Sequence, residues 1–486
     1  MLKRLPPSQW TTVQAAHLLN RAGFGGSPAE IAALQAFGLE KAVDHILEGE
    51  EEDDLFPPPH LSQPPELFEQ MRASKAAMKA AMKAAPDDPK GREMQQMRRR
   101  EQSEQIRQLR AWWLSRMRYT PYPLREKMTL FWHGHFATSF EKVKVAYLMW
   151  QQNETLRANA LGNFRELAKQ VSKDPAMMRY LDTVQSQRSQ PNENFARELL
   201  ELFTLGEGVR YTEGDIQESA RAFTGYRIDP RSMAFLFARR QFDDSEKEFM
   251  GRKGPFDGDA IIDIITAQPE CAAFITRKLW NYLASDNPSP GTLRQLASHF
   301  RDSQFDIRST LREIFLSEEF YAPQTLRSQV KGPVQWLVQT ARVLEAPLPG
   351  SAALEVSLAQ MGQIPFAPPN VKGWDNGRAW ISTSTLLFRY NLAGYIVSGR
   401  SPALDGFRKG SGPVPVPLEK IAPAALRADP VKLCDTLALR LLNAPVTGAE
   451  REKFLAFLQN HGPAISDSAL RDFLHLMMST PDYQLT

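Results

Sequence analysis

The residues best suited to chemistry begin with a histidine pair. His133 and His135 lie in "REKMTLFWHGHFATSFEK", Arg125 to Lys142, with one glycine between them. An imidazole changes charge near neutral pH, so either ring is a candidate acid or base. His-x-His is also a metal-ligand spacing where the backbone is extended, because a period of two puts both rings on one side. On a helix the pair behaves differently. If a helix from Leu124 runs on, Leu124, Met128, Phe131 and His135 share one face. His133 then falls nearly opposite, on a stripe with Glu126. Gly134 is expected to end or bend that helix, which would let the rings converge. The competing reading is packing, with His135 a core imidazole bonded to a carbonyl and His133 a partly exposed residue at the helix end.

The second candidate is "NENFARELLELFTLGEG", whose apolar face carries Phe195, Leu199, Leu202 and Phe203. Glu193, Arg197 and Glu201 are spaced by four, as are Asn194 and Glu198. Ion pairs at this spacing contribute only about 0.2–0.5 kcal/mol each, so spacing alone describes a solvated face. Beside a histidine pair, two glutamates would suit a metal site or an acid/base pair. The expected metal set is therefore His133, His135 and Glu198 around a divalent ion. The expected catalytic set is His133, His135, Glu198, Glu201 and Arg197, with Arg125 or Arg197 holding an anionic group. The loop "NVKGWDNGRAW" adds Asn370, Lys372, Trp374, Asp375 and Trp380. Tryptophan faces beside polar groups form sugar or peptide surfaces, or anchor a loop. Arg125, Asn194, Asn370, Lys372, Trp374 and Asp375 are the expected substrate-binding residues.

Other chemistries lack their motifs. There is no Glu-x-x-His for a ferritin-like di-iron site, no His-Glu-x-x-His and no Cys-x-x-Cys-His. Gly-x-Ser-x-Gly, a P-loop and a dinucleotide fingerprint are also missing. "GFGG" reads as a turn between helices more readily than as an anion site.

These groups need a scaffold, and the chain reads as helical. Its 486 residues exceed one simple core, and 42% apolar against 24% charged residues is an ordinary globular balance. A net charge of +3 argues against a global attraction to nucleic acid or membrane. No apolar run approaches the roughly 18 residues of a spanning helix. The N-terminus turns amphipathic at once, without a secretory h-region, so the sequence is expected to be cytoplasmic. Cys271 and Cys434 have no motif spacing and are expected to be buried.

A main domain is expected over 1–401. Ser27-Pro28-Ala29-Glu30 reads as a capped helix start and Gly38 as a stop. Residues 48–66 are acidic and proline-rich, an exposed connector. Residues 66–118 suggest a basic helical hairpin with its tip near Pro86–Gly91; from Arg72 to Arg118 there are 13 Lys/Arg against 5 Asp/Glu. Ile106, Leu109, Trp113 and Met117 share one face of its second helix, and Met78 and Met82 are expected to pack on the body or on a second subunit. Thr212 and Asp215 make a capping pair. A β-hairpin is expected over 225–243, with Met233, Phe235 and Phe237 alternating after an Asp-Pro turn. Residues 402–430 read as a Pro/Gly-rich linker. Residues 431–486 read as a three-helix unit that echoes 277–321, and two such copies could pack together.

Several segments together resemble one family. They are "HLLNRAGFGGSPAEI", "PLREKMTLFWHGHFATS", "SKDPAMMRYLD", "PNENFARELLELFTLGEGVRYTEGDIQESARAFTGY", "PPNVKGW" and "WISTSTLLFRYN". The chain is identified as a member of the bacterial domain of unknown function 1800. The likeness runs from about residue 14 to 395, with a weaker tail to 484. The resemblance carries no assigned reaction. It implies proteins that are often exported and often encoded beside a sulfatase-like partner, the domain of unknown function 1501. This chain departs in having Phe242-Asp243 where related chains often place His-Asp.

The expected architecture is mainly α: a multi-helix body, a protruding helical hairpin, one small β-hairpin and a C-terminal helical unit. The expected function is an enzyme, hydrolytic by chemistry type, built on a His/Glu polar cleft. The rival is a non-catalytic binding or assembly protein that contacts an anionic polymer or a partner protein.

Overall fold

The computed structural model describes residues 1–49, 55–81, 89–398, 416–462 and 464–486, with 74–81 and 89–92 as backbone alone. The fold is mainly α, as the periodicity implies, with 24 α-helices among the described residues. Local signals set many of their ends. Helix α1 (Thr12–Arg21) starts in a capping box between Thr11 and Gln14. Helix α2 (Pro28–Ala36) starts in the expected box, with Glu30 Oε2 2.7 Å from the Ser27 amide. Helix α3 (Leu39–Glu48) follows Gly38, whose φ of 76° only glycine adopts freely.

Helices α4 (Pro64–Ala81) and α5 (Pro89–Tyr119) form the basic hairpin. Its expected tip, and Met78 and Met82, fall outside the residues or side chains described. The hairpin protrudes only in part. Ile106, Leu109, Trp113 and Met117 are buried, so the C-terminal half of α5 is core rather than arm. Helix α6 (Pro123–His135) turns back beneath it, followed by α7 (Phe140–Val143), α8 (Ala146–Ala158), α9 (Phe164–Ser172) and α10 (Pro175–Tyr180). Helix α11 (Asn194–Glu198) widens into a π-helical turn over Leu199–Thr204, and α12 (Glu213–Ala222) follows, boxed by Thr212 and Asp215 as expected.

The expected hairpin is present. Strand β1 (Tyr226–Ile228) pairs antiparallel with β2 (Phe235–Phe237). Asp229 closes the turn by accepting from the Arg231 amide at 3.0 Å. Met233 belongs to that turn, not to the strand: its φ is 57° and it is buried. A second ribbon, unforeseen, pairs β3 (Lys247–Phe249) with β4 (Arg252–Gly254). Asp243 ties it to α12 through Arg221 Nε at 2.8 Å.

The two echoing segments have matching element order. Helices α14 (Pro269–Leu283), α15 (Pro290–Asp302) and α16 (Ile307–Leu316) end in a tight turn at Glu319–Tyr321. Helices α22 (Pro430–Leu442), α23 (Gly448–Gln459) and α24 (Asp467–Met478) end in one at Asp482–Gln484. Each turn is gripped by an upstream strand-like segment, Arg4 against Ser317 and Val330 against Leu485. The units do not share a core. The first belongs to a cluster with α1, α6 and α11, the second to a cluster with α5, α8 and α17 (Pro333–Val343). Residues 402–415 of the expected linker lie outside the described residues. The remainder is not a loose connector, since Val416, Leu418, Ile421 and Ala422 are buried. Among the described residues, no helix is long and apolar enough to cross a membrane.

Candidate functional site

Helix α6 carries the histidine pair and runs unbroken through Gly134 to His135. Gly134 therefore does not turn the chain, and the rings do not converge. The close approach at this point depends on a second glycine instead. Gly373, with φ 84°, lies so close that a Cβ there would stand 2.3 Å from the Gly134 carbonyl oxygen. This contact seats the tryptophan loop on α6.

The two imidazoles have separate surroundings. His133 is 1% exposed, not a partly exposed end residue. Its Nε2 accepts from the Phe366 amide at 2.9 Å, among the rings of Trp113, Phe366 and Trp374. Burial pushes its pKa down to about 3, so it is neutral. His135 continues the apolar stripe, as the spacing implies. Its Nε2 lies 3.0 Å from the Phe203 carbonyl, which can only accept, so Nε2 carries the proton. Its Nδ1 then accepts from Lys278 Nζ at 3.1 Å. Burial first, then the Lys278 charge, hold this imidazole well below its ordinary pKa.

The glutamate stripe stands beside these rings through its backbone. The π-helical turn leaves carbonyls without intrahelical donors, and Lys278 Nζ reaches the Leu202 oxygen at 3.3 Å while His135 takes that of Phe203. The carboxylates serve elsewhere. Arg197 bonds Glu213 at 2.8 Å, Glu193 at 3.2 Å and Glu201 at 3.5 Å. Glu198 is half-buried; burial and Glu201 raise its pKa against Lys372 and Arg197. No three His, Cys, Asp or Glu side chains among the described residues are grouped to hold a metal. The expected set of His133, His135 and Glu198 is not assembled, because the imidazole nitrogens that could coordinate already face protein partners. Glu126 is likewise no titrating partner of His133. It is fully buried, bonded by Arg116 at 2.8 Å, Arg157 at 2.6 Å and Trp113 at 2.7 Å. Burial pushes its carboxyl up, but these donors outweigh burial and bring it below its ordinary pKa.

The remaining expected residues are spread over the surface. Asn194, Asn370, Lys372 and Asp375 are exposed, and Arg125 is half-buried outside the cavities. Asn370 shapes its loop by accepting from the Lys372 amide at 2.9 Å. Lys372 and Trp374 do reach the cleft, where they join His135.

That cleft is two adjoining cavities, of about 240 Å³ and about 70 Å³, that share Leu130, Asn281, Tyr282, Gln363 and Asn376. The larger holds His135, Lys278, Lys372 and Trp374; the smaller holds Lys127, Lys331, Asp286 and Trp380. Three of these lysines are desolvated. Burial, then Arg21, brings Lys127 to about 7. Burial, then Arg389 and Arg327, brings Lys331 to about 7. Burial brings Lys278 to about 8. Their ligands are neutral: Gln335 for Lys127, and the Tyr483 carbonyl at 2.7 Å for Lys331. Buried Arg21 adds positive charge behind them, with Nε and Nη1 unpartnered. Asp286 is the one carboxylate side chain lining either cavity.

Sequence reasoning missed these amines. Lys127 and Lys278 each interrupt an apolar helical stripe, Leu124–Lys127–Met128–Phe131 and Cys271–Ile275–Lys278–Tyr282. A charged residue inside such a stripe is the signal that would have found them. Lys331 precedes Gly-Pro in a turn and has no local signal.

The family described as "Protein of unknown function (DUF1800)" matches residues 17–485, a span that contains every residue of the cleft except Thr486. No curated protein and no solved structure matches. With its histidine helix, π-turn and tryptophan loop all inside the matched region, the chain belongs to the DUF1800 family.

Proposed function

We propose that the protein is an enzyme that binds a small anionic molecule in the amine-lined cleft, with Lys278 as its acid/base group. One observation carries this reading: Lys127, Lys278 and Lys331 surround one cleft that a single carboxylate side chain lines. Taking ammonium groups out of water without counter-ions is unfavourable, and their pKa values fall in response. An entering carboxylate, sulfate or phosphate group restores the missing charge. Exposed Lys372 at the rim would draw such a group in. Lys278, near pH 8, exchanges a proton under neutral conditions, and His135 holds it in place. A hydrolytic centre built on His133, His135, Glu198 and Glu201 has less support, because Glu201 pairs with Arg197 while the ring nitrogens face the Phe366 amide, the Phe203 carbonyl and Lys278.

The test is thermal stability with millimolar sulfate, phosphate or acetate against chloride at equal ionic strength. Sulfate stabilises many proteins by exclusion from their surface, so the difference between wild type and a Lys127→Met, Lys331→Met variant is decisive. Wild type should gain more. Equal gains would remove the proposal.

The binding-protein alternative also has a specific observation. A groove of about 590 Å³ between α5, α7 and α10 is lined by Arg98, Arg99, Lys144 and Arg179. Its one carboxylate, Glu141, is held by Lys144 at 2.9 Å. Retention on heparin that Arg99→Ser, Arg179→Ser abolishes would favour this reading. Co-expression with a sulfatase-like protein would test the partner implied by the resemblance.

A further inference from the structure

We infer that Lys278 is an amine nucleophile that condenses with the carbonyl group of an acidic carbonyl compound, an oxo acid, to form an imine. This deepens, and rests on, the anion-cleft reading. The geometry around Nζ carries it. A neutral amine has two N–H bonds and one lone pair. Here two acceptors stand within reach, His135 Nδ1 at 3.1 Å and the Leu202 carbonyl at 3.3 Å. They occupy the two hydrogens and leave the lone pair as the unengaged corner of the nitrogen. Neither acceptor is free to turn. The Phe203 carbonyl fixes the tautomer of His135, and Leu202 belongs to the π-helical turn. His135 is thus a positioning residue.

Access separates Lys278 from the other two amines. Lys127 is 7% exposed and sits between the rings of Phe24 and Tyr282, while Lys331 is 2% exposed against the ring of Tyr483. Lys278 also lies over a ring, that of Phe274 at 4.8 Å, but it is half-buried and lines the larger cavity with Trp374. Burial also leaves a usable share of it neutral near pH 8. The deeper amines and Lys372 supply positive charge for the acid group, and Asn281 and Gln363 offer amides in the shared wall.

The step balances without a further reactant. The nitrogen lone pair forms a C–N bond to the carbonyl carbon, and the carbonyl π pair moves to oxygen. Both amine hydrogens pass to that oxygen, which leaves as water, and a C=N bond remains. Once protonated, the imine withdraws electrons from bonds to the adjacent carbon.

The experiment uses the whole protein with pyruvate and with glyoxylate, and cyanoborohydride to reduce any imine. Intact mass and peptide mapping locate the adduct. A single early adduct on Lys278, formed severalfold faster than on other lysines and slowed in His135→Gln, is expected. Sulfate should compete with it. Adducts scattered over surface lysines, an adduct on Lys127 or Lys331, or none at all overturns the inference. The wild-type map decides this even where a variant fails to fold. Sulfate stabilisation without a Lys278 adduct defeats the imine and leaves the anion cleft standing. An adduct that sulfate neither blocks nor slows, with no sulfate stabilisation, defeats the cleft reading instead.

Discussion

Replacing Lys127 by Met should change how stability depends on pH. In the unfolded chain this lysine titrates near its ordinary value of 10.5, and in the folded protein at about 7. Below pH 7 both states hold the proton, so the cost of burying the charge is fully present. As pH rises through the folded value, the native state sheds the proton while the unfolded state keeps it. Stability therefore rises with pH in this window. The slope approaches roughly 1 to 2 kcal/mol per pH unit once the proton difference nears one. Integrated from about pH 7 to 9, with the folded group half-protonated at the start, the gain is about 2 kcal/mol. Methionine keeps the stem among Phe24, Tyr282 and Gln335 and removes the charge. Urea midpoints of wild type and variant, read by tryptophan fluorescence across this range, should converge as pH rises. The variant should be the more stable at pH 7. Curves that stay parallel would refute the claim that this ammonium is desolvated and uncompensated.

Other outcomes follow from named contacts. Glu126→Ala removes the buried carboxylate that Arg116 and Arg157 share, with Glu154 left as a partner of Arg157, and should cost about 3–5 kcal/mol in a denaturant titration. Gly373→Ala forces a side chain into a left-handed φ and against the Gly134 carbonyl; a penalty of about 1–3 kcal/mol and loss of anion stabilisation are expected in a thermal-shift assay. His135→Ala strands the Phe203 carbonyl and removes one acceptor from Lys278. It should lose about 1–3 kcal/mol, with faster amide exchange in Leu199–Thr204 by hydrogen-exchange mass spectrometry. Chelators should leave thermal stability unchanged, since the histidine nitrogens face protein groups.

Much of the scaffold was legible because its signals are local. The Ser27–Glu30 and Thr212–Asp215 boxes, the Asp229 turn and the apolar face of Ile106, Leu109, Trp113 and Met117 depend on residues a few positions apart. So does the placement of His135 on the buried stripe of α6. Gly134 misled because a single glycine does not have to end a helix: α6 runs through it, and the tight contact there depends on the distant Gly373, 239 positions further along, whose Cβ would strike the Gly134 carbonyl. The glutamate stripe misled for a related cause. Its spacing is real, but the π-turn presents carbonyls to His135 and Lys278, while Glu193 and Glu201 pair with Arg197. The amine cleft was illegible because its members come from α6, α14 and the turn before α17. An amine acquires a depressed pKa only when those elements close around it. Lys127 lies only two residues from Arg125, yet nothing in its neighbours marks it apart from its place on the apolar stripe.

If the buried, partly neutral amines take up an anion, proton uptake on binding reports it directly. Calorimetric titration with sulfate at pH 8, in two buffers of different ionisation enthalpy, reports the protons taken up on binding. Sulfate itself does not titrate there. Net uptake is expected, as Lys127, Lys278 and Lys331 become ammonium around the ligand, with reduced uptake in Lys127→Met and Lys278→Met. Binding without proton uptake, or uptake unchanged in both variants, would contradict it.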